Sequence, residues 1–210
     1  LGGLSPWGYH LLNVLVHGAN AALFWVVARR LLAAAVGDGR QDGRSAADVS
    51  IAAVVAALVF GAHPLRVEPV AWISGRADLL CTTFVLLTAW LYLRAVEGTR
   101  PRLLVGPTLA LAAALLSKGS ALPLPVVLLL LDVYPLRRLR DRGAVALVAE
   151  KIPLFVVAAV AAAANLYASR HGAVLTAGAD SDAGARLVVA TYSFVMSAAR
   201  FVWPWGLQPV

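Results

Sequence analysis

"LLNVLVHGANAALFWVVARRLLAAAV", residues 11–36, decides the fold. It is an apolar run longer than the roughly 20 residues an α-helix needs to cross a bilayer. Its few polar groups are ordered: His17 and Asn20 lie one turn apart, on the same helix as Asn13. Such a polar stripe serves interhelical hydrogen bonds inside a membrane, with contact to a ligand as the lesser use.

Composition extends the reading outward. Of 210 residues, 60% are hydrophobic and 14% charged, where a soluble domain carries about 25% charged residues. The polar residues gather in short stretches instead of recurring at every turn, so most helices are apolar all round and face lipid or one another. The expected fold is all-α, a polytopic helical membrane protein whose first partner is the lipid bilayer.

Further apolar segments run over Val49–Ala62, Leu79–Leu93, Leu103–Ser117, Ala121–Tyr134, Ile152–Ala168 and Leu187–Trp203, making about seven transmembrane or membrane-embedded helices with the first. Several fall short of a full span. They must borrow flanking residues or be re-entrant, above all the pair either side of Lys118.

Charge sets the orientation. With connectors placed alternately on two sides, one side collects Arg29, Arg30, Arg40, Arg44, Arg94, Arg100, Arg102, Arg137, Arg138, Arg140, Arg142 and Lys151, which is 12 of the 18 basic residues. That excess marks the cytoplasmic side. The opposite side holds Arg66, Arg76, Lys118, Arg170 and Arg186. The formal charge of +7 therefore reflects orientation; with no basic helix or RNA-binding signature beside it, nucleic acid is not an expected partner. Cys81, the single cysteine, excludes an internal disulfide and a cysteine-built metal site.

The extracytoplasmic side then receives the polar island "HPLRVEPVAWISGRAD", residues 63–78, together with the N-terminal "GGLSPWGYH", the "SKGS" turn at 117–120 and the loop at 169–185. His63-Pro64 argues for a helix break, and Glu68-Pro69 repeats it. Between Pro69 and Asp78 the spacing of Val70, Ile73 and Ala77 suits a short interfacial helix with Trp72 at headgroup level, closed by Arg76 and Asp78.

Two readings of the island compete. In the plain one, Glu68, Arg76 and Asp78 pair with nearby arginines and anchor a surface turn. In the functional one the island binds an anionic or polyhydroxyl ligand: arginines supply forked donors to phosphate, and carboxylates hydrogen-bond sugar hydroxyls or take a proton. Lys118 divides similarly, between snorkelling at a helix end and meeting an anion. His63 has no HExxH pattern or nearby second histidine, so no metal site is expected from it. Asp132 is expected to pair with the basic connector after it, and Glu150-Lys151 before Pro153 reads as a helix start.

The blocks "LGGLSPWGYHLLNVLVHGANAALFWVVARRL", "HPLRVEPVAWISGRADLL", "LLSKGSALPLPVVLLLLDVYPLRR", "EKIPLF" and "ARFVWPWGL" follow one another in an order and spacing that resembles a known family. It is the membrane part of the transmembrane and tetratricopeptide-repeat-containing proteins, GT-C-type glycosyltransferases that include protein O-mannosyltransferases and bacterial relatives. The resemblance covers nearly all 210 residues. It implies a GT-C-like enzyme that moves a sugar, mannose in the characterised members, from a polyprenyl-phosphate carrier such as dolichyl phosphate to serine or threonine of an acceptor protein. On that reading Arg76 and Lys118 stabilise the phosphate leaving group, with Arg66 as a lesser candidate. Glu68 and Asp78 orient the sugar or the arginine, and His63 shapes the turn beneath them.

Two departures matter. The family usually carries an acidic first extracytoplasmic loop, whose aspartate is the expected general base, after an earlier transmembrane helix. The present chain reads as a partial membrane domain starting downstream of that loop and ending before any repeat, and is expected to be inactive alone. Secondly, relatives often have glutamate or proline after the lysine, where Gly119 stands here. Related enzymes differ in metal dependence, so the resemblance implies no particular metal. High alanine and arginine content suggests a bacterial cytoplasmic membrane, with the endoplasmic reticulum as the setting for a eukaryotic source. A transporter or lipid-carrier flippase would place its polar groups near mid-membrane at broken helices; here they gather at one face, and "HPLRVEPVAW" has no second copy. A non-catalytic membrane scaffold is the remaining alternative.

Overall fold

The computed structural model describes residues 7–37, 43–98, 104–171 and 183–204. Every regular element among them is helical: α1 (Trp7–Val36), α2 (Gly43–Ala62), α3 (Val67–Ala71), α4 (Arg76–Glu97), α5 (Val105–Ser117), α6 (Leu124–Val133), α7 (Leu139–Arg142), α8 (Ala144–Glu150), α9 (Ile152–His171) and α10 (Ala183–Val202). The chain divides into two compact units, Leu1–Ala162 and Ala163–Val210, with the boundary inside α9. The second unit contains the end of α9 and all of α10; residues 172–182, most of the polar loop expected on the island's side, lie outside the described residues.

Each of the seven apolar segments is helical, yet fewer can cross a bilayer alone. By length and composition α1, α4 and α9 are candidate spans. A fourth arises if Ala46–Ala62 and Pro64–Ala71, bent by 54° at their junction, form one broken span or a re-entrant loop. The segments around Lys118 stay short because its backbone is extended (φ −160°, ψ 137°), which stops α5 at Ser117. After a single 3-10 turn at Gly119–Ala121, α6 starts with Pro125 in its first turn, where a missing N–H costs nothing.

Polar side chains stitch the first unit together. On α1 the expected stripe does bond neighbouring helices: the His17 ring nitrogen Nε2 lies 3.0 Å from the Gly61 carbonyl of α2, and Asn20 donates to the Leu79 carbonyl of α4 at 3.0 Å. Thr83 of α4 returns a hydrogen bond to the Asn20 carbonyl oxygen at 2.7 Å. Asn13 donates to the Val70 and Trp72 carbonyls, so α1 also holds the island. Between α1 and α2 the Phe24 and Phe60 rings stack at 4.7 Å. Fully buried Leu111 and Ala114 of α5, Leu128 of α6 and Leu154 of α9 form a core with Tyr92 and Cys81 of α4. The outward faces carry exposed apolar side chains such as Leu15, Val59, Leu109 and Leu116, a surface suited to lipid.

The island departs from expectation in two places. Pro69 does not break the chain, because it is the third residue of α3, within the turn whose N–H groups have no helical partner. The break falls at Trp72, which is extended (φ −89°, ψ 134°) and separates α3 from a 3-10 turn at Ile73–Gly75. There is thus no continuous interfacial helix from Pro69 to Asp78. Arg76 and Asp78 open α4 instead of closing that helix, and Asp78 in the first turn complements the helix dipole.

Candidate functional site

The site begins with a sharp change of direction after α2. His63 is extended (φ −64°, ψ 130°), and its Nδ1 accepts a hydrogen bond from the Leu65 N–H at 3.2 Å, capping the 3-10 turn Pro64–Arg66. Further along, Gly75 permits a close return of the chain: a Cβ there would sit 2.4 Å from the Pro69 carbonyl oxygen. Backbone that close admits only glycine. The island is folded back on itself, delivering Arg76 and Asp78 to the first turn of α4.

Across from them stands Lys118, in the extended break between α5 and α6. Its Nζ donates to Asp78 Oδ1 at 2.5 Å, and both side chains remain partly exposed to solvent. The Lys118 carbonyl also lies 3.7 Å from the Cys81 thiol, one turn beyond Asp78 on α4. Arg76 is held differently. Its Nε donates to Asn13 Oδ1 at 3.5 Å, and its guanidinium lies 5.6 Å from the centre of the Tyr9 ring. Among the described residues its buried Nη2 has no hydrogen-bond partner. A buried donor left unsatisfied is costly, and a ligand oxygen would relieve it.

The other candidates are less engaged. Arg66 packs its guanidinium over the Phe60 ring at 4.5 Å and is within electrostatic reach of Asp78. Glu68 is exposed on α3, with no ion pair among the described residues. The structure therefore joins Lys118 to Asp78, sets Arg76 on the same helical turn, keeps Arg66 within electrostatic reach of Asp78, and among the described residues gives Glu68 no ion pair. Among the described residues the ion pair of Asp78 is with a lysine from another turn. Among the described residues no group of three or more His, Cys, Asp or Glu is placed to hold a metal ion.

A second charged cluster lies at the other end of α4. Asp132 of α6, fully buried, accepts hydrogen bonds from Tyr92 Oη at 2.5 Å and Arg138 at 2.9 Å, and pairs with the buried Lys151 ammonium. Arg138 reaches on to Glu150 at 2.8 Å. Burial alone would lower the pKa of the Arg138 guanidinium, but hydrogen bonds to Glu150 and Asp132 outweigh it and raise the pKa. The pairing of Asp132 with the basic connector is as expected from sequence. The reach of the cluster is not: Glu150 and Lys151 read there as helix-start residues, and Tyr92 as one more residue of an apolar run. An aspartate ending the run "PVVLLLLD" was the available signal, because a carboxylate so placed needs a partner equally deep. Asp78 and Tyr92 are 14 positions apart on one helix, so the clusters lie about 21 Å apart along it.

This arrangement of apolar helices, with a cationic site at one end and an ion-paired clamp at the other, is that of a multispanning membrane protein. Residues 48–167 match the profile of the family described as dolichyl-phosphate-mannose-protein mannosyltransferase, and the chain belongs to that family. The match spans both clusters. Among individual relatives, protein O-mannosyl-transferase Tmtc2 of Drosophila melanogaster is 43% identical over 139 residues, 63% of this chain and 13% of that protein. The mouse and human TMTC2 proteins are each 33% identical over 145 residues, 67% of this chain and 16% of theirs. TMTC4 of Mus musculus is 37% identical over 98 residues, 47% of this chain and 13% of its own length. The chain thus spans well under a quarter of the length of the curated relatives it matches. No solved structure matches it.

Proposed function

We propose that the protein containing this chain is a glycosyltransferase that moves mannose from a polyprenyl (dolichyl) phosphate carrier to serine or threonine hydroxyls of an acceptor protein. The reaction takes place on the face away from the cytoplasm. That membrane is the bacterial cytoplasmic membrane, or the endoplasmic reticulum membrane for a eukaryotic source. The observation that carries the proposal is Arg76 Nη2, a buried guanidinium nitrogen with no partner among the described residues, on the same first turn of α4 as Asp78, which pairs with Lys118. The family described as using dolichyl-phosphate mannose supports the choice of donor.

In the proposed step the bond between the sugar's anomeric carbon and the carrier phosphate breaks, and the acceptor oxygen bonds to that carbon. The hydroxyl proton passes to a carboxylate base of the full-length protein. The departing carrier gains negative charge on its phosphate, which Arg76 and Lys118 offset. Arg66 adds a more distant positive charge. Preorganised donors aimed at developing charge commonly contribute more to such catalysis than any other effect, each worth roughly a hundredfold or more in rate. Asp78 holds the Lys118 ammonium in place between turnovers, while Glu68, exposed and uncommitted, orients the sugar. His63 keeps the turn beneath them. No metal is assigned to the step.

The proposal is tested by supplying membranes that contain the full-length protein with polyprenyl-phosphate mannose and a serine/threonine-rich acceptor, then following mannose into the acceptor by mass spectrometry. Carrier-dependent mannosylation is the expected result. Its absence across donors and acceptors, in protein shown to be folded, would favour the flippase or scaffold readings.

A further inference from the structure

The connector after α6 has chemistry that neither the sugar-transfer site nor the buried clamp uses. Its sequence, "YPLRRLRDR" at residues 134–142, contains four arginines and a single carboxylate. Arg138 alone is committed inward, to Asp132 and Glu150. Its neighbours Arg137 and Arg140 form no ion pair among the described residues, and both are exposed. They line a cavity of about 430 Å³ together with Val133, Tyr134 and Leu139.

The cavity wall has two kinds of surface. Val133, Tyr134 and Leu139 are 51%, 63% and 39% exposed, an apolar surface formed by the last residue of α6, the residue after it and the first residue of α7. Arg137 and Arg140 supply fixed positive charge beside it. Arg137 adopts a positive φ of 54°, uncommon for a residue with a side chain. The backbone hydrogen bond from the Arg138 N–H to the Asp132 carbonyl at 2.8 Å spans the turn that carries it. Asp141, the turn's carboxylate, forms no ion pair among the described residues and leaves most of the arginine charge uncancelled.

We propose that this cavity seats the headgroup of an anionic phospholipid, with Arg137 and Arg140 on the phosphate and Val133, Tyr134 and Leu139 against the glycerol and first acyl carbons. An apolar wall continuous with a membrane helix and a cationic rim at its end match a molecule with the same division, and a tyrosine there suits the interface. A solvated charge run accounts for the arginines but gives no use to the exposed apolar wall. The headgroup would also brace the turn holding Arg138 in the clamp, at the end of α4 opposite the sugar-transfer site.

The test uses the full-length protein in neutral detergent, titrated with phosphatidylglycerol, phosphatidylcholine or inorganic phosphate, reading thermal stability and lipid retention by native mass spectrometry. Phosphatidylglycerol is expected to bind and raise Tm, with little response to the other two. A charge near an anionic headgroup contributes such that Arg137→Gln or Arg140→Gln weakens the apparent affinity about fivefold, and the pair about thirtyfold. Both arginines are exposed, so the variants should fold; Arg142→Gln, outside the cavity, serves as the control and keeps wild-type affinity. Equal losses from Arg142→Gln would mean a diffuse field and overturn the site, as would a full response to inorganic phosphate or undiminished phosphatidylglycerol binding by the double variant.

Discussion

Lys118 and Asp78, forty positions apart in the chain, meet at 2.5 Å where the break between α5 and α6 faces the first turn of α4. Their side chains are 48% and 40% exposed. A pair so open to water contributes about 0.2–1 kcal/mol to stability, so Lys118 can leave Asp78 at little cost. In the proposed reaction that exchange frees the ammonium for the carrier phosphate.

Removing the lysine should therefore separate function from stability. Lys118→Ala is expected to lower mannose transfer by roughly a hundredfold, with Tm shifted by no more than a few degrees. Thermal denaturation and transfer assays on the same preparation check both; a large loss of stability with no specific loss of transfer would make the pair a structural tie.

The clamp at the other end of α4 should behave in the opposite way. Lys151 and Asp132 are both fully buried, and leaving one charge of such a pair without a partner costs about 3–5 kcal/mol. Asp132→Asn strands the Lys151 ammonium and is expected to abolish stable expression, whereas Lys151→Met leaves Asp132 paired with Arg138 and costs less. Combining Asp132→Asn with Lys151→Met should recover much of the loss, because Arg138 keeps Glu150 and no unpaired charge is then left inside. A double-mutant cycle followed by fluorescence-detected gel filtration measures the coupling.

Two glycines give a contrast in sign. A Cβ on Gly75 meets the Pro69 backbone at 2.4 Å, whereas one on Gly18, inside α1, meets nothing within 4 Å. Gly75→Ala is expected to destabilise the island by about 1–3 kcal/mol, and Gly18→Ala to stabilise α1 by about 0.5–1 kcal/mol. Thermal melts of both variants read the signs directly.

The helical fold was legible because apolar runs and prolines mark helices and their limits without regard to neighbours. Asn13, His17 and Asn20 could be read for the same reason: in an apolar helix, polar groups must find partners, and carbonyls on α2, the island and α4 supply them. The number of spans was less accessible, because the halt at Lys118 depends on one residue's backbone angles. The route through the island differs at Pro69, whose effect depends on whether it stands in a helix's first turn or its interior. Pairings were the least visible. Lys118 with Asp78, and Lys151 with Asp132 and Tyr92, join segments that only the packing of α4 against its neighbours brings together.

In the proposed reaction Arg76 receives the carrier phosphate. Its most direct test is kcat/KM for polyprenyl-phosphate mannose, measured in the full-length protein for wild type, Arg76→Ala and Arg76→Lys at matched expression and Tm. A fall of roughly a hundredfold is expected for Arg76→Ala, with partial recovery in Arg76→Lys, which keeps the charge and loses the fork. Wild-type kcat/KM in Arg76→Ala, with the fold intact, would contradict it.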